Sequence, residues 1–272
     1  MTRPKPRLDW QTILATAASI VHGYDTGVTL RQLFYRLVAT EILPNTKVAY
    51  STLSKVTAEA RRQRNFPALI DRTRAVHRYT SFDSPDEATE WLCQIYRRER
   101  TDGQLVSIYL GVEKAGIVEQ LKSWFGDYGI PILALGGYSS QTYIDEVIAD
   151  VERQERPAVL IYAGDFDPSG EDIDRDFLAR TDVFREVVRV ALNADQVGEH
   201  NLPEQMGKTT DSRARGFLER HGRLVQVELD ALPPDALRDL FQEAIDTHWD
   251  TSAFKRALRR EKNERAALRG AR

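Results

Sequence analysis

Continuous apolar runs alternate with helix-forming segments from residue 105 onward. Strands buried on both faces of a parallel sheet have such runs rather than alternating patterns. The runs are LVSIYLGV (105–112), IPILALGG (130–137), AVLIYAG (158–164) and FREVVRVAL (184–192), with RLVQVEL (223–229) later. Helices are predicted between the runs and at 233–249. The alternation predicts an α/β fold, with a mostly parallel sheet covered by helices.

The first 80 residues have a different pattern, in which apolar residues recur at helical spacing. Helices are predicted at 9–21, at 29–39 with Thr29 as N-cap, and at 51–65 with Ser51 as N-cap. The third helix ends in three basic residues, which are Arg61, Arg62 and Arg64. Three short helices with a basic last one resemble a winged helix-turn-helix, whose last helix enters the major groove of DNA. The three arginines are therefore predicted DNA-binding residues.

Composition and charge divide the chain into four predicted parts. These are a helical domain (1–80), a linker helix (81–104), an α/β domain (105–250) and a basic helical tail (251–272). The net charge is −3, but both ends are basic and the centre is acidic. Basic ends predict contact with a polyanion, and an acidic centre suits a domain that holds cations. The alternative is a solvated charge pattern without a partner.

The linker helix has start and stop signals. Ser84, Pro85 and Glu87 form a capping box with proline at the first helical position. Gly103 is the predicted end of this helix. The domain boundary is therefore placed just before residue 81.

Two classes of protein are excluded by composition. Cys93 is the only cysteine, so the chain has no intrachain disulfide and no cysteine-based zinc site. The start MTRPKPRLDW lacks the apolar centre of a signal peptide, and no window reaches the roughly 18 apolar residues of a membrane span. A cytoplasmic protein that does not span a membrane is expected.

Acidic residues follow two of the predicted strands. Glu113 and Lys114 come after the first strand, and Asp165 and Asp167 come after the third, in DFDPSG. Residues i and i+2 of an extended chain point to the same side, and like charges that close repel unless a cation lies between them. If the strands are parallel neighbours, Glu113 joins the aspartates at one edge of the sheet. Oxygen ligands without cysteine predict Mg²⁺, with Mn²⁺ as the other option.

Tyr35 lies beside Arg31 on the flank of the predicted helix 29–39, away from the centre of its apolar stripe. An arginine next to a phenol suits phosphate binding and favours phenolate, which a tyrosine nucleophile needs to attack a phosphodiester. The alternative is a boundary tyrosine that packs its ring and exposes its hydroxyl to water.

The trio Glu113, Asp165 and Asp167, each after an apolar strand, resembles the metal site of a Toprim domain. The segments VEK (112–114), GGYSSQT (136–142) and DFDPSG (165–170) are similar to the A subunit of topoisomerase VI and its relative, the meiotic double-strand-break transesterase. That family carries a nucleophilic tyrosine on an N-terminal helix-turn-helix-like domain. TLRQLFY (29–35) places Tyr35 at the matching position, with Gln32 in place of the usual acidic residue and Phe34 in place of the first tyrosine.

The resemblance implies a Rossmann-like Toprim domain that holds Mg²⁺ through Glu113, Asp165 and Asp167. It implies attack by Tyr35 on a DNA phosphodiester that Arg31 neutralises, leaving a 5′-phosphotyrosine link and a free 3′-hydroxyl. It also implies a homodimer, in which the tyrosine of one protomer works with the metal site of another, and an ATPase B-type subunit as a candidate partner. Lys114, next to the metal ligand, is a predicted DNA contact.

Three other functions remain open at this point. A metal-dependent nuclease would use the acidic trio and water, without Tyr35. A DNA-binding module would bind without cutting, with a structural ion at the acidic edge. A phosphatase with an Asp-x-Asp nucleophile is disfavoured, because Pro168 follows the motif and two strands precede it.

The segment NLPEQMGKTTDSRARGF (201–217) resembles part of small bacterial and phage Toprim proteins. Lys208, Arg213 and Arg215 are candidate phosphate contacts within it. The alternative is a surface loop followed by a helix that Thr210 or Asp211 caps.

Overall fold

The structure is a computed structural model that describes residues 8–24, 27–70, 79–206 and 211–270. The chain forms two compact units. The first contains the described residues within Met1–Arg74, together with Gly164–Glu171 and Ala191–Leu237. The second contains those within Ala75–Ala163, Asp172–Val190 and Arg238–Arg272. Within the described ranges, no helix combines the length and apolar character that a bilayer span requires.

Helices and strands alternate along most of the described chain. The helices are α1 (Trp10–His22), α2 (Leu30–Ala39), α3 (Lys47–Arg62), α4 (Pro85–Ile95), α5 (Ala115–Phe125), α6 (Gln141–Arg153), α7 (Pro168–Thr181), α8 (Ala194–Glu199), α9 (Ala214–His221), α10 (Pro234–His248) and α11 (Thr251–Gly270). The strands are β1 (Ser107–Val112), β2 (Ile132–Ala134), β3 (Ala158–Ala163), β4 (Phe184–Ala191), β5 (Gln205–Met206) and β6 (Val225–Gln226). A 3₁₀ helix spans Leu229–Ala231.

The main sheet confirms the predicted α/β class. Its four strands are parallel, lie in the order β2-β1-β3-β4, and are flanked by helices. All residues of β1 and β3 are buried, as their continuous apolar sequences predict. These two strands are direct neighbours, with Val112 opposite Ala163 at their carboxyl ends. β1 and β3 are therefore parallel neighbours.

The apolar run 223–229 does not form the predicted long strand. Only Val225–Gln226 is strand, and it pairs antiparallel with β5 in a separate sheet of two strands. Val227 then exchanges two backbone hydrogen bonds with Phe166, of 2.9 and 3.0 Å. The backbone turns into the 3₁₀ helix directly afterwards, because the Leu229 N–H is engaged by a buried carboxylate.

Helices α1, α2 and α3 pack around an apolar core in the first unit. Its fully buried members include Ala17, Val28, Leu33, Leu37 and Leu53. The predicted helices at 9–21 and 29–39 are confirmed. Thr29 caps α2 as predicted, through a capping box with Gln32.

Helix α3 begins earlier than predicted. Its N-cap is Thr46, whose hydroxyl accepts the Ala49 N–H at 3.2 Å, and Ser51 lies inside the helix. Ala49 and Leu53 are both buried in the core, so packing extends the helix by a turn that the sequence signals alone did not reveal.

Helix α4 ends at Ile95, well before the predicted end at Gly103. The segment after it is held in the second unit by α11. Arg100 donates to both carboxylate oxygens of Glu261, at 2.8 and 2.9 Å, and their side chains are only 10% and 4% exposed. Helix α11 buries Ala253, Ala257 and Glu261 at four-residue spacing, so this face of the basic tail packs against protein.

Replacing Glu261 with Gln is expected to lower the free energy of unfolding by about 3 kcal/mol, because removing one member of a buried ion pair leaves the other uncompensated. Urea denaturation measures this. The matched control is Glu264→Gln on the same helix, where the pair with Arg98 is 39% and 31% exposed, so a loss of about 1 kcal/mol or less is expected. Equal losses of unfolding free energy in the two variants would contradict the stabilising role of the buried Arg100–Glu261 pair.

The same pair predicts a pH dependence. Hydrogen bonds from Arg100 lower the pKa of Glu261 despite its desolvation. A carboxyl group with a lowered folded-state pKa stabilises the fold above its unfolded pKa of about 4.3, and the contribution is lost as the pH falls through the folded value. The difference in stability between the parent and Glu261→Gln should therefore shrink below about pH 4.3. A difference that stays constant down to pH 3 would contradict this reasoning.

Candidate catalytic site

Two buried carboxylates follow β3 in the first unit. Asp165 and Asp167 are 7% and 6% exposed. Asp165 Oδ1 accepts the Leu229 N–H at 2.8 Å. Asp167 Oδ1 accepts the Gly170 N–H at 2.7 Å, and Oδ2 accepts from Gln226 Nε2 at 2.8 Å. The predicted aspartates are therefore buried and held by neutral hydrogen-bond donors.

The sequence DPSG explains the local geometry at Asp167. Pro168 is the first residue of α7, a position that suits proline because its missing N–H would have no helical partner. The Asp167 carboxylate accepts the N–H of Gly170 three residues later, which is how a side chain caps a helix. Capping is a structural role, and it involves only Oδ1 of the two Asp167 carboxylate oxygens.

The donor set of this pair fits Mg²⁺. Among the described residues, no lysine or arginine forms an ion pair with Asp167, although it is buried. Within the same residues there is no group of three or more His, Cys, Asp or Glu arranged to hold a metal. Mg²⁺ commonly uses one or two carboxylates and completes its shell with water and substrate phosphate. Two aspartates are therefore a sufficient protein contribution to such a site.

Glu113 and Lys114 lie in the second unit, at the carboxyl end of β1. The Glu113 N–H donates to the Ala163 carbonyl at 3.1 Å, which extends the β1–β3 pairing by one bond. Its side chain is partly buried. Lys114 is the N-cap residue of α5 and is also partly buried. The roles predicted for both residues stay predictions.

Tyr35 and Arg31 share one carboxylate in the first unit. The Tyr35 hydroxyl donates to Glu228 Oε1 at 3.1 Å, and Arg31 Nη2 donates to Glu228 Oε2 at 2.8 Å. The Arg31 guanidinium also lies over the Tyr35 ring, 5.5 Å from its centroid, and within 3.7 Å of Asp230. The predicted nucleophile is thus held between a cation and a carboxylate whose side chain is only 12% exposed.

Arg31 remains charged in this arrangement. Partial burial opposes its charged form, but the charge and hydrogen bond of Glu228 outweigh that effect and raise the pKa of Arg31, with smaller contributions from Tyr35 and Asp230. Half of the side chain is exposed (52%), so the guanidinium is accessible to a phosphate. A guanidinium has five N–H donors, which leaves capacity beyond these two carboxylates.

One short segment connects the tyrosine to the aspartates. Gln226 donates to Asp167, Glu228 accepts from Tyr35, and the Leu229 N–H donates to Asp165. We define residues 226–229 as the connecting segment.

Sequence reasoning missed Glu228 because it was placed inside a predicted strand. One signal was available: Glu228 and Asp230 interrupt an apolar run at i, i+2 spacing, the pattern that singled out Asp165 and Asp167.

The predicted DNA-binding arginines lie at the end of α3 and are exposed. Arg61 donates to the Thr57 carbonyl at 3.3 Å, and Arg62 pairs with Glu59. Arg64 follows the helix in a left-handed conformation, with φ of 60°. Their contact with DNA stays a prediction.

In the segment 201–217, Lys208 and Thr210 lie outside the described residues. Arg213 pairs with Asp211 at 2.7 Å, and Arg215 pairs with Glu219 at 2.9 Å. Phosphate contact by these residues stays a prediction.

No family model matches the chain, and no curated protein matches its sequence. The functional assignment therefore depends on the residues and contacts described above.

Asp165→Ala is expected to lower the free energy of unfolding by about 2 kcal/mol in EDTA, because it leaves the buried Leu229 N–H without its acceptor. Asp165→Asn keeps a carbonyl oxygen at this position, so its free energy of unfolding should fall clearly less. Urea denaturation of both variants checks this. If alanine and asparagine cost the same, the hydrogen bond does not hold the connecting segment.

Proposed function

We propose that this protein binds DNA and cleaves it by transesterification, with Tyr35 as the nucleophile and Asp165 and Asp167 as ligands of Mg²⁺ or Mn²⁺. One observation carries the proposal. The connecting segment contacts the tyrosine through Glu228 and the two aspartates through its other residues. Contact with one short segment supports a shared role for the tyrosine and the aspartates.

The proposed reaction exchanges one phosphodiester for another. The Tyr35 hydroxyl oxygen attacks the phosphorus, and its proton passes to Glu228, which already accepts the hydrogen bond. The bond from phosphorus to the sugar O3′ breaks, and O3′ takes a proton from water. The products are a 5′-phosphotyrosine ester and a free 3′-hydroxyl, with no oxidant or co-reactant.

Charge on the phosphate is neutralised from two sides in this proposal. Arg31 binds a phosphate oxygen through the exposed part of its guanidinium. A metal ion held by Asp165 and Asp167 would supply Lewis-acid stabilisation of the phosphate oxygens. Glu113 is the third ligand that the resemblance implies.

Arg61, Arg62, Arg64 and Lys114 are the proposed contacts to the DNA backbone. We also propose the homodimer and the ATPase B-type subunit that the resemblance implies.

A metal-dependent hydrolytic nuclease is the second candidate. This candidate is favoured by the acidic pair alone, since two buried aspartates suit a metal that activates water. Tyr35 would then have no chemical role, and the two candidates differ in what remains attached to the cut end.

The decisive experiment is a supercoiled-plasmid assay with Mg²⁺, Mn²⁺ or EDTA, stopped with detergent. The parent is expected to cut only with metal and to leave protein on the 5′ end. Tyr35→Phe and Asp167→Asn should each reduce cutting at least about 10²-fold, because one removes the nucleophile and the other a metal ligand. Gel mobility before and after protease digestion detects the attached protein.

The matched control is Tyr79→Phe, a tyrosine that is fully exposed in the second unit and should cut like the parent. Cutting that survives Tyr35→Phe but not Asp167→Asn would establish the hydrolytic nuclease. Binding without cutting in any metal would favour the DNA-binding module.

Glu228→Gln tests the proton acceptor. Loss of general-base catalysis is expected to slow adduct formation about 10²-fold, and any rise in rate with pH due to Glu228 should disappear. Glu228→Asp should recover part of the rate, since it restores a carboxylate. A rate and a pH profile equal to those of the parent would exclude a catalytic role for Glu228.

A further inference from the structure

A cleft opens beside Tyr35 in the first unit, and its lining residues other than Tyr35 and Arg31 have no role in the chemistry above. Its volume is about 300 Å³, at the lower end of the range for small-molecule sites. It is lined by Arg31, Tyr35, Asn45, Thr46, Lys47 and Tyr50, with Phe34 behind the two tyrosines. The volume suits a single nucleotide rather than a stretch of duplex.

The chemistry of the lining is that of an anion site with an aromatic wall. Arg31 and Lys47 are cations, and none of the lining residues is acidic. Asn45 and Thr46 add neutral polar side chains, which are exposed. Arginine and lysine at such a position are typical phosphate contacts.

The aromatic wall is held in place by ring contacts. The Phe34 ring is buried and makes edge contacts with Tyr35 and Tyr50, at centroid distances of 5.5 and 5.2 Å. Tyr50 is 37% exposed, so part of its ring faces solvent although its position is fixed. An anchored and partly exposed tyrosine is a stacking platform for an unpaired base.

We infer that this cleft binds one unstacked nucleotide of the DNA, with its phosphate against Lys47 and its base against the Tyr50 ring, next to the phosphate that Arg31 binds. The inference deepens the proposed function and rests on DNA being the substrate. The nucleotide held here would adjoin the phosphate that Tyr35 attacks, so the cleft would place the scissile bond and favour sites where a base is unpaired.

Binding is tested without cleavage, in EDTA, by the fluorescence anisotropy of a 5′-fluorescein-labelled thymidine 12-mer and of a labelled duplex of equal length. Tyr50→Ala is expected to weaken single-strand binding about tenfold, since stacking of one base has that magnitude, and to weaken duplex binding much less. Tyr50→Phe keeps the ring and should bind like the parent. Lys47→Met should weaken binding and lower the salt slope by about 0.7, the value for one single-strand phosphate contact.

Two further variants test whether the effects on binding are specific to the cleft. Asn45→Asp places a negative charge in the cleft at an exposed position, so it should fold normally and weaken binding at least tenfold. Lys55→Met is the matched control, because Lys55 is exposed on α3 but does not line the cleft. Parent-like binding by Asn45→Asp would overturn the inference. So would equal losses for Lys47→Met and Lys55→Met, or an equal effect of Tyr50→Ala on single strand and duplex.

The binding test of the cleft and the cleavage assay can fail independently. If the plasmid assay shows no tyrosine adduct while Tyr50→Ala still weakens single-strand binding, the proposed chemistry fails and the nucleotide cleft stands. If the adduct forms and the cleft variants bind and cut like the parent, only the cleft inference fails.

Discussion

The hydrogen bond from the Leu229 N–H to the Asp165 carboxylate fixes the candidate site. Asp165 is buried, and a buried carboxylate is costly unless hydrogen-bond donors surround it. Satisfying this requirement anchors the chain at residue 229, where it leaves the short strand for a 3₁₀ turn. The preceding residue, Glu228, is thereby presented to Tyr35 and Arg31. A need for polar satisfaction at one strand end thus determines the surroundings of a tyrosine nearly 130 positions earlier in the chain.

Charge balance in the first unit gives a second constraint. Arg31 is shared by Glu228 and Asp230, two carboxylates with side chains only 12% and 6% exposed. Asp167 is also buried, its carboxylate accepts from Gly170 and Gln226, and it has no ion pair among the described residues. A buried carboxylate without a cationic partner is unfavourable. In the proposed site, a divalent ion would compensate the charge of Asp167.

The sequence predicted those features that depend on local patterns. Continuous apolar runs identified β1 and β3, and the cap at Thr29 was correct because it depends on residues three apart. The start of α3 was wrong because burial of Ala49 overrode the signal at Ser51. The run 223–229 was read as one strand because its turn depends on Asp165, more than 60 residues away. Glu228 was missed for the same reason: its role arises from tertiary contacts that periodicity does not report.

A tyrosine bound to a carboxylate is common in this chain, so that contact alone does not identify a nucleophile. Tyr96 donates to Glu264 at 2.6 Å and Tyr109 to Asp150 at 2.8 Å. The pKa of Tyr96 is raised chiefly by its hydrogen bond to Glu264. The pKa of Tyr109 is raised chiefly by burial, and also by its hydrogen bond to Asp150. A carboxylate acceptor therefore keeps the proton on a phenol at rest.

Sharing the carboxylate with an arginine does not distinguish Tyr35 either, because Glu264 also binds Arg98 and Asp150 also pairs with Arg153. Among these three tyrosines, Tyr35 differs in having a guanidinium, that of Arg31, over its ring and an open cleft beside it. In the mechanism that we propose, the proton would leave Tyr35 during the attack rather than before it. Glu228 would gain the proton as the phosphate takes up the charge of the oxygen. Arg31, which binds the Glu228 carboxylate in the structure, would stabilise the phosphate during the proposed reaction.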